Sequence, residues 1–208
     1  MAVARSPRSY DGAQRAFHWV MAAVIVIALA LGLTAYFLPE SAGALRQEVT
    51  FLHKSFGMTA LVLGVLRVVY RLIVGAPPYA VALARLTSIA SHAAHFALYA
   101  LMIALPVAGY VNSSAGGHEV PWFGLFDWPS LAPRDRALGH LAAGAHFWLA
   151  WTIIGVLALH FAAVAWHALV KRDEVLGRMW PSRARSVRQG APGNREGASI
   201  SGAGGSVL

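Results

Sequence analysis

Residues 146–160 read HFWLAWTIIGVLALH, an uncharged apolar run closed at each end by a histidine. An imidazole in hydrocarbon is costly unless it is paired or functional, so two in one greasy segment require partners elsewhere in the chain. An α-helix advances about 100° and 1.5 Å per residue, which places His146 and His160 within about 40° of one face and about 21 Å apart along the axis. One metal ion cannot reach both. Two sites stacked along one helix can.

The bulk composition supports a membrane setting for that helix. Of 208 residues, 57% are hydrophobic and 12% charged, against about 25% charged in an ordinary soluble chain. Four apolar runs reach the roughly 20 residues needed to cross a bilayer: Trp19 to Leu38, Phe56 to Val74, Ala93 to Val111 and Leu141 to Val170. With their flanks they predict helices over about 12–38, 45–74, 88–112 and 134–170, an all-α integral membrane four-helix bundle. The first run is longer than the apolar region of a signal peptide, so it is expected to be a retained span despite the small residues SAGA at 41–44.

Four spans put both termini on one side. Arg5, Arg8 and Arg15 precede the first span, Arg71 and Arg85 flank the second link, and Lys171, Arg172, Arg178, Arg183, Arg185 and Arg188 follow the last. Arg46, Lys54, Arg134 and Arg136 lie on the other face, offset by Glu40, Glu48, Glu119, Asp127 and Asp135. The positive-inside rule therefore predicts both termini in the cytoplasm, for a multi-pass membrane protein. The net charge of +8 sits largely beside span ends and in the tail, where anionic lipid accounts for it and no nucleic-acid role is expected. With no cysteine, thiol and iron–sulfur chemistry by this chain is excluded.

Local signals punctuate the spans. Asp11 is a plausible cap for the first helix, Pro39 stops it, and Ser41 or a neighbour can start the second. GAPPY at 75–79 breaks the second helix, and Thr87 or Ser88 can cap the third. Pro106 lies inside the third span and predicts a kink, with neighbouring helices satisfying the freed carbonyl. The loop 113–133 carries Trp122, Phe123, Phe126 and Trp128 and is expected at the headgroup level. Residues 1–181 thus form one four-helix domain, and 182–208, basic and then rich in Gly, Ala and Ser, a disordered tail.

The histidines sort by depth. His18 lies about 10 Å inside the first helix and His160 about 12 Å from the matching end of the fourth, while His53 and His146 lie at similar depths near the other face. Depth pairs His18 with His160 and His53 with His146, although His95 has a depth similar to that of His18. Two imidazoles facing each other across a bundle suit a haem iron held from both sides, whereas zinc more often takes three or four close protein ligands.

At these positions the chain resembles the bacterial cytochrome b561 family. The likeness is carried by FHW at 17–19, HKSFG at 53–57 followed by LRVVYRL at 66–72, HAAHFALYALMIALPVAGY at 92–110, and LHFAAVAWHALVKRDEVLGRM at 159–179. It covers about residues 9–181. The resemblance implies a four-helix cytochrome with two b haems, related to the cytochrome b subunits of nickel–iron hydrogenases. It implies iron ligation by His18 with His160 near the cytoplasm and by His53 with His146 near the outer face.

Other polar residues of the spans have two readings each. His92 and His95 are candidates for bonding a haem propionate or lining a quinone pocket, and His167, one heptad beyond His160, for meeting the haem edge. Arg67 and Arg71 can snorkel to headgroups or pair with propionates. Lys54 can pair with a propionate or draw in an anionic donor. His118 and His140 are expected in loops. Gly32, Gly57, Gly64 and Gly155 can admit a macrocycle or serve plain helix packing. Two functions follow from the resemblance: electron transfer across the membrane between two bis-histidine haems with ubiquinone as partner, including superoxide:ubiquinone oxidoreduction, or a membrane anchor subunit taking electrons from a docked redox partner protein.

Overall fold

The computed structural model describes residues 9–77, 85–173 and 175–180. The tail 182–208, with Arg183, Arg185 and Arg188, lies outside the described residues, as do Arg5, Arg8 and the Pro78 and Tyr79 of the second break. Four long helices dominate: α1 Gly12–Phe37, α2 Gly43–Val74, α3 Arg85–Ala115 and α4 Arg136–Trp166. All four are long and apolar enough to cross a membrane. Large apolar side chains such as Leu72, Ile73, Phe96, Leu141 and Leu159 point outward along the bundle. A helix this apolar on its outer faces is covered by lipid.

The helix ends have identifiable causes. The Asp11 carboxylate accepts the Gln14 N–H at 2.8 Å and starts α1, and Asp135 accepts the N–H groups of Ala137 and Leu138 at 2.8 and 3.1 Å to start α4. Each satisfies donors left without an intrahelical partner. α1 stops at Phe37 ahead of Pro39, and a single 3-10 turn, Glu40–Ala42, leads into α2, so Ser41 lies within that turn. Thr87 and Ser88, expected as caps, lie inside α3, and His140, expected in a loop, lies inside α4. α4 passes into a π-helical turn, His167–Lys171, ended by Arg172 at φ 50°. Pro106 sits within an unbroken α3, as anticipated for a span.

α1 packs on α2 and α3 on α4, and the two hairpins join through α2 and α3. α1 and α4 make few close backbone contacts and meet through side chains, among them Tyr36 and Phe147 with rings 5.8 Å apart. Gly64 shows how tightly α2 and α3 approach: a Cβ there would lie 3.3 Å from Ile103 Cδ1 and 3.6 Å from the Met102 carbonyl oxygen. Its role is helix packing.

The α3–α4 connection is a folded cap. Strands β1 Pro121–Trp122 and β2 Phe126–Asp127 pair antiparallel, with Trp122 opposite Phe126. Phe123 and Gly124 turn the chain with φ of 50° and 73°, closed by the Leu125 N–H on the Trp122 carbonyl at 3.0 Å. Two successive positive φ values are the signature of a type I′ turn. The cap is fastened to α2 by Ser55, fully buried, whose hydroxyl accepts the Phe123 N–H at 3.0 Å and lies 3.2 Å from the Pro121 carbonyl oxygen. Trp122 Nε1 donates to Thr59 Oγ1 at 3.0 Å, and the Tyr110 hydroxyl donates to the Pro129 carbonyl. Beneath it Met58, Tyr110 and Val120 form a buried apolar cluster.

Candidate functional site

Near the capped end of the bundle, α2 and α4 bring the rings of His53 and His146 together, with centroids 5.9 Å apart and planes nearly perpendicular at 79°. Both rings are half-buried. Each is oriented by a helix that supplies neither ring. His53 Nδ1 bonds the Ala28 carbonyl of α1 at 2.9 Å, and His146 Nδ1 bonds the Leu105 carbonyl of α3 at 3.0 Å. A carbonyl only accepts, so both rings carry their proton on Nδ1 and leave Nε2 as a bare lone pair. That tautomer is the one a metal takes, and a carbonyl behind Nδ1 also raises the basicity of the ligating nitrogen. Leu105 directly precedes Pro106, but the carbonyl that the proline leaves without its helical donor is that of Met102, four residues back, and not the one His146 bonds.

Near the other end three histidines gather. His160 of α4 faces His95 of α3, with centroids 5.7 Å apart and planes at 85°. His95 Nδ1 bonds the Ser91 carbonyl one turn back at 2.6 Å, again leaving Nε2 bare. His18 of α1 lies within electrostatic range of both His160 and His95. Its Nδ1 lies 3.1 Å from a guanidinium nitrogen of Arg67. Guanidinium can only donate, so His18 Nδ1 accepts and its proton sits on Nε2. In this arrangement the ring directly opposite His160 is His95, and His18 is held by Arg67.

The remaining predicted site residues are placed as follows. Arg67 also reaches the Gln14 carbonyl at 3.5 Å and stands 5.9 Å from the Tyr99 ring centroid. Arg71 bonds the Gly75 carbonyl at 3.1 Å and lies over Tyr10. Lys54 Nζ donates to the Glu119 carbonyl of the cap at 2.7 Å. His92 bonds the Ser88 carbonyl of its own helix at 2.7 Å. His167 pairs with Asp173 at 2.5 Å beyond the π turn. Two glycines border the His53–His146 pair. Gly32 lies against the His53 ring and Gly109 against the His146 ring. Gly32 is among the glycines singled out from the sequence and lies directly on the His53 ring; Gly109 is not, because a glycine near Pro106 in an apolar helix reads as packing. A Cβ on Gly57 or Gly155 would meet nothing within 4 Å.

The donor chemistry fits an iron with two axial imidazoles. An imidazole nitrogen sits about 2 Å from a first-row metal, so two rings on opposite sides of one ion have centroids about 6 Å apart, close to the 5.9 Å of His53 and His146. Among the described residues no group of three or more His, Asp or Glu side chains converges as a metal site. Two protein ligands per ion is what a macrocycle with its own four nitrogens requires.

Comparison with known proteins agrees with this chemistry. Residues 9–182 match the family described as prokaryotic cytochrome b561. The chain is 32% identical over 179 residues to cytochrome b561 homolog 2 of Escherichia coli, covering 86% of this chain and 95% of that protein. It is 27% identical over 176 residues to the probable superoxide oxidase CybB of Yersinia pestis, covering 85% of this chain and 98% of that one. With four apolar helices and facing imidazoles in place, the chain belongs to the prokaryotic cytochrome b561 family of membrane electron-transfer proteins, which work with haem b.

Proposed function

We propose that the protein carries electrons across the bacterial inner membrane on two bis-histidine b haems, with the termini in the cytoplasm and quinone as the membrane-soluble partner. The observation that carries this reading is the facing pair His53 and His146, each with Nδ1 bonded to a carbonyl and Nε2 bare. His53 and His146 hold the haem near the outer face. His160 holds the second, with His18 as the other ligand, on the strength of its depth and the family pattern, and His95 beside them. When bound, the haems supply one-electron carriers on each side of an apolar layer. The spacing of His146 and His160 sets those carriers about 21 Å apart along α4.

The chain's own groups shape each site. For His18 to ligate through Nε2, its proton would have to pass to Nδ1, where Arg67 then finds no acceptor; filling this site would therefore leave the guanidinium N–H that faces His18 to pair with an anionic propionate, with the Gln14 contact kept. Lys54, tethered to Glu119, keeps a positive charge beside His53 at the outer face. That charge, and a relative named as a probable superoxide oxidase, support superoxide as the donor. Two superoxide ions would each lose one electron and become dioxygen, and one quinone would take those two electrons and two protons to become quinol.

Purification under haem supply, with a reduced-minus-oxidised spectrum and haem counted per chain, tests the reading: two b haems are expected, and none would overturn it. The 5.7 Å approach of His95 to His160 favours a second reading of the inner pair. Loss of one haem in His18→Ala, retained in His95→Ala, supports the first assignment; the reverse result assigns His95. The exposed apolar tip formed by Phe123, Leu125 and Phe126 favours a second functional reading, an anchor subunit for a docked redox enzyme. Stoichiometric copurification of such a partner would establish it, and quinone reduction by the isolated protein with superoxide would exclude it.

A further inference from the structure

The two outer imidazoles are seated in the same way on two different helices. His53 bonds the carbonyl of Ala28, and its ring edge lies over Gly32, four residues further along α1. His146 bonds the carbonyl of Leu105, and its ring edge lies over Gly109, four residues further along α3. In an α-helix the N–H of residue i+4 points at the carbonyl of residue i. Each seat is therefore one helical turn: a carbonyl that accepts from the ring, and the glycine whose own N–H shares that carbonyl.

The glycine is a steric requirement of the seat. A Cβ at Gly32 would fall 2.8 Å from His53 Cε1 and 3.0 Å from Nδ1; at Gly109 it would fall 2.8 Å from His146 Cε1 and 2.9 Å from Nδ1. These are the atoms at the hydrogen-bonding edge of each ring, so an added methyl displaces the edge that reaches the carbonyl. Neither glycine is there for backbone freedom, since both lie within regular helix.

We infer that Gly32 and Gly109 are positioning residues for the outer haem. They admit the His53 and His146 rings to the Ala28 and Leu105 carbonyls, and so set the orientation and basicity of both axial ligands. A carbonyl behind Nδ1 makes an imidazole a stronger donor, which stabilises the oxidised iron. Weakening that bond raises the reduction potential. The inference rests on the proposed bis-histidine ligation by His53 and His146.

The test is redox titration and low-temperature electron paramagnetic resonance of the haem-loaded full chain, comparing wild type with Gly32→Ala, Gly109→Ala and a control, Gly12→Ala at the start of α1, whose Cβ meets nothing within 4 Å. Alanine is the better helix former, so helical content should survive. Each seat variant is expected to shift the midpoint of one haem upward and change its resonance signature, or to lose that haem alone, with the other haem and the control at wild-type values. His53→Ala identifies which haem is the outer one. Wild-type midpoints and signatures for both haems in the two seat variants would overturn the inference, as would equal disturbance of both haems or loss of helical content. A wild-type protein without haem would instead overturn the ligation proposal itself.

Discussion

The histidines differ in what stands behind Nδ1, and that difference fixes which nitrogen of each ring is available. His53, His146 and His95 face carbonyls, which only accept, whereas His18 faces Arg67, which only donates. In haem-free protein, nitrogen-15 NMR should therefore find His53 and His146 protonated on Nδ1 and His18 on Nε2. Replacing Arg67 with Leu should release His18 from that tautomer while leaving the other two unchanged. An Nε2 proton on His53 or His146 would contradict the orientation of that pair. Helical arithmetic made the depth of each ring legible in the sequence, and the facing of His53 and His146 agrees with it. Depth says nothing about direction around the axis, which is why the approach of His95 to His160 was open in the sequence and is settled only by packing. The glycine seats were illegible for a similar reason: residues 28 and 32, or 105 and 109, have no sequence relation to the histidines they serve.

At the scale of elements, the cap over α2 and α3 hangs on few polar groups, and Ser55 is the most exposed to mutation in energetic terms. Its hydroxyl, completely buried, serves the Phe123 N–H and neighbours the carbonyls of Phe51 and Pro121. Ser55→Ala removes the partner of the part-buried Phe123 N–H, which costs about 0.5–1.5 kcal/mol. Amide exchange at Phe123 and a lowered melting temperature would register it, with exchange at the centre of α4 unaffected. The aromatic residues of this loop were legible as an interfacial signal, but the hairpin was not, because Phe123 at positive φ is an uncommon choice that only its tertiary contacts sustain. At the end of α4, Asp173 sits just beyond the π turn. Partial burial pulls its carboxyl upward, but hydrogen bonds from His167 and the Val175 amide, with the charges of His167 and Lys171, hold it below the ordinary value. A lowered carboxyl stabilises the fold above its unfolded pKa of about 3.9 and loses that contribution as pH falls through the lower folded value. Protection of the Val175 amide, taken relative to its intrinsic exchange rate at each pH, should therefore fall below about pH 4, and in Asp173→Asn that protection should no longer change with pH there. Because Asp173 is largely exposed, the effect should be on the order of a few tenths of a kcal/mol.

The whole molecule is two helical hairpins joined along α2 and α3, with the α1–α4 side the more loosely packed. At the end near the termini, the segment after α4 turns back onto α1: Trp19 Nε1 donates to the Met179 carbonyl at 2.9 Å, the Trp19 and Trp180 rings meet at 5.8 Å, and the Tyr10 N–H lies 3.3 Å from the Arg178 carbonyl oxygen. The four spans and the stops at Pro39 and Gly75 were legible from hydropathy and proline. This return was not, because nothing in the apolar pattern says where a short segment after a span will dock. The proposed ligand pairs complete the closure, since each joins one helix of the first hairpin to α4. A group bound by both hairpins in the folded state, and by neither alone, stabilises the bundle by mass action, by about 4 kcal/mol at a thousandfold excess over its dissociation constant. Haem-loaded protein should therefore melt well above haem-depleted protein in the same detergent, and His146→Ala should forfeit the part contributed by the outer site. If His53 and His146 act on one bound group, removing either abolishes the same contribution, so the double variant His53→Ala/His146→Ala should melt close to the worse single variant. Two losses that simply add would mean that the rings act independently, and the facing pair would then be two separate contacts without a shared ligand.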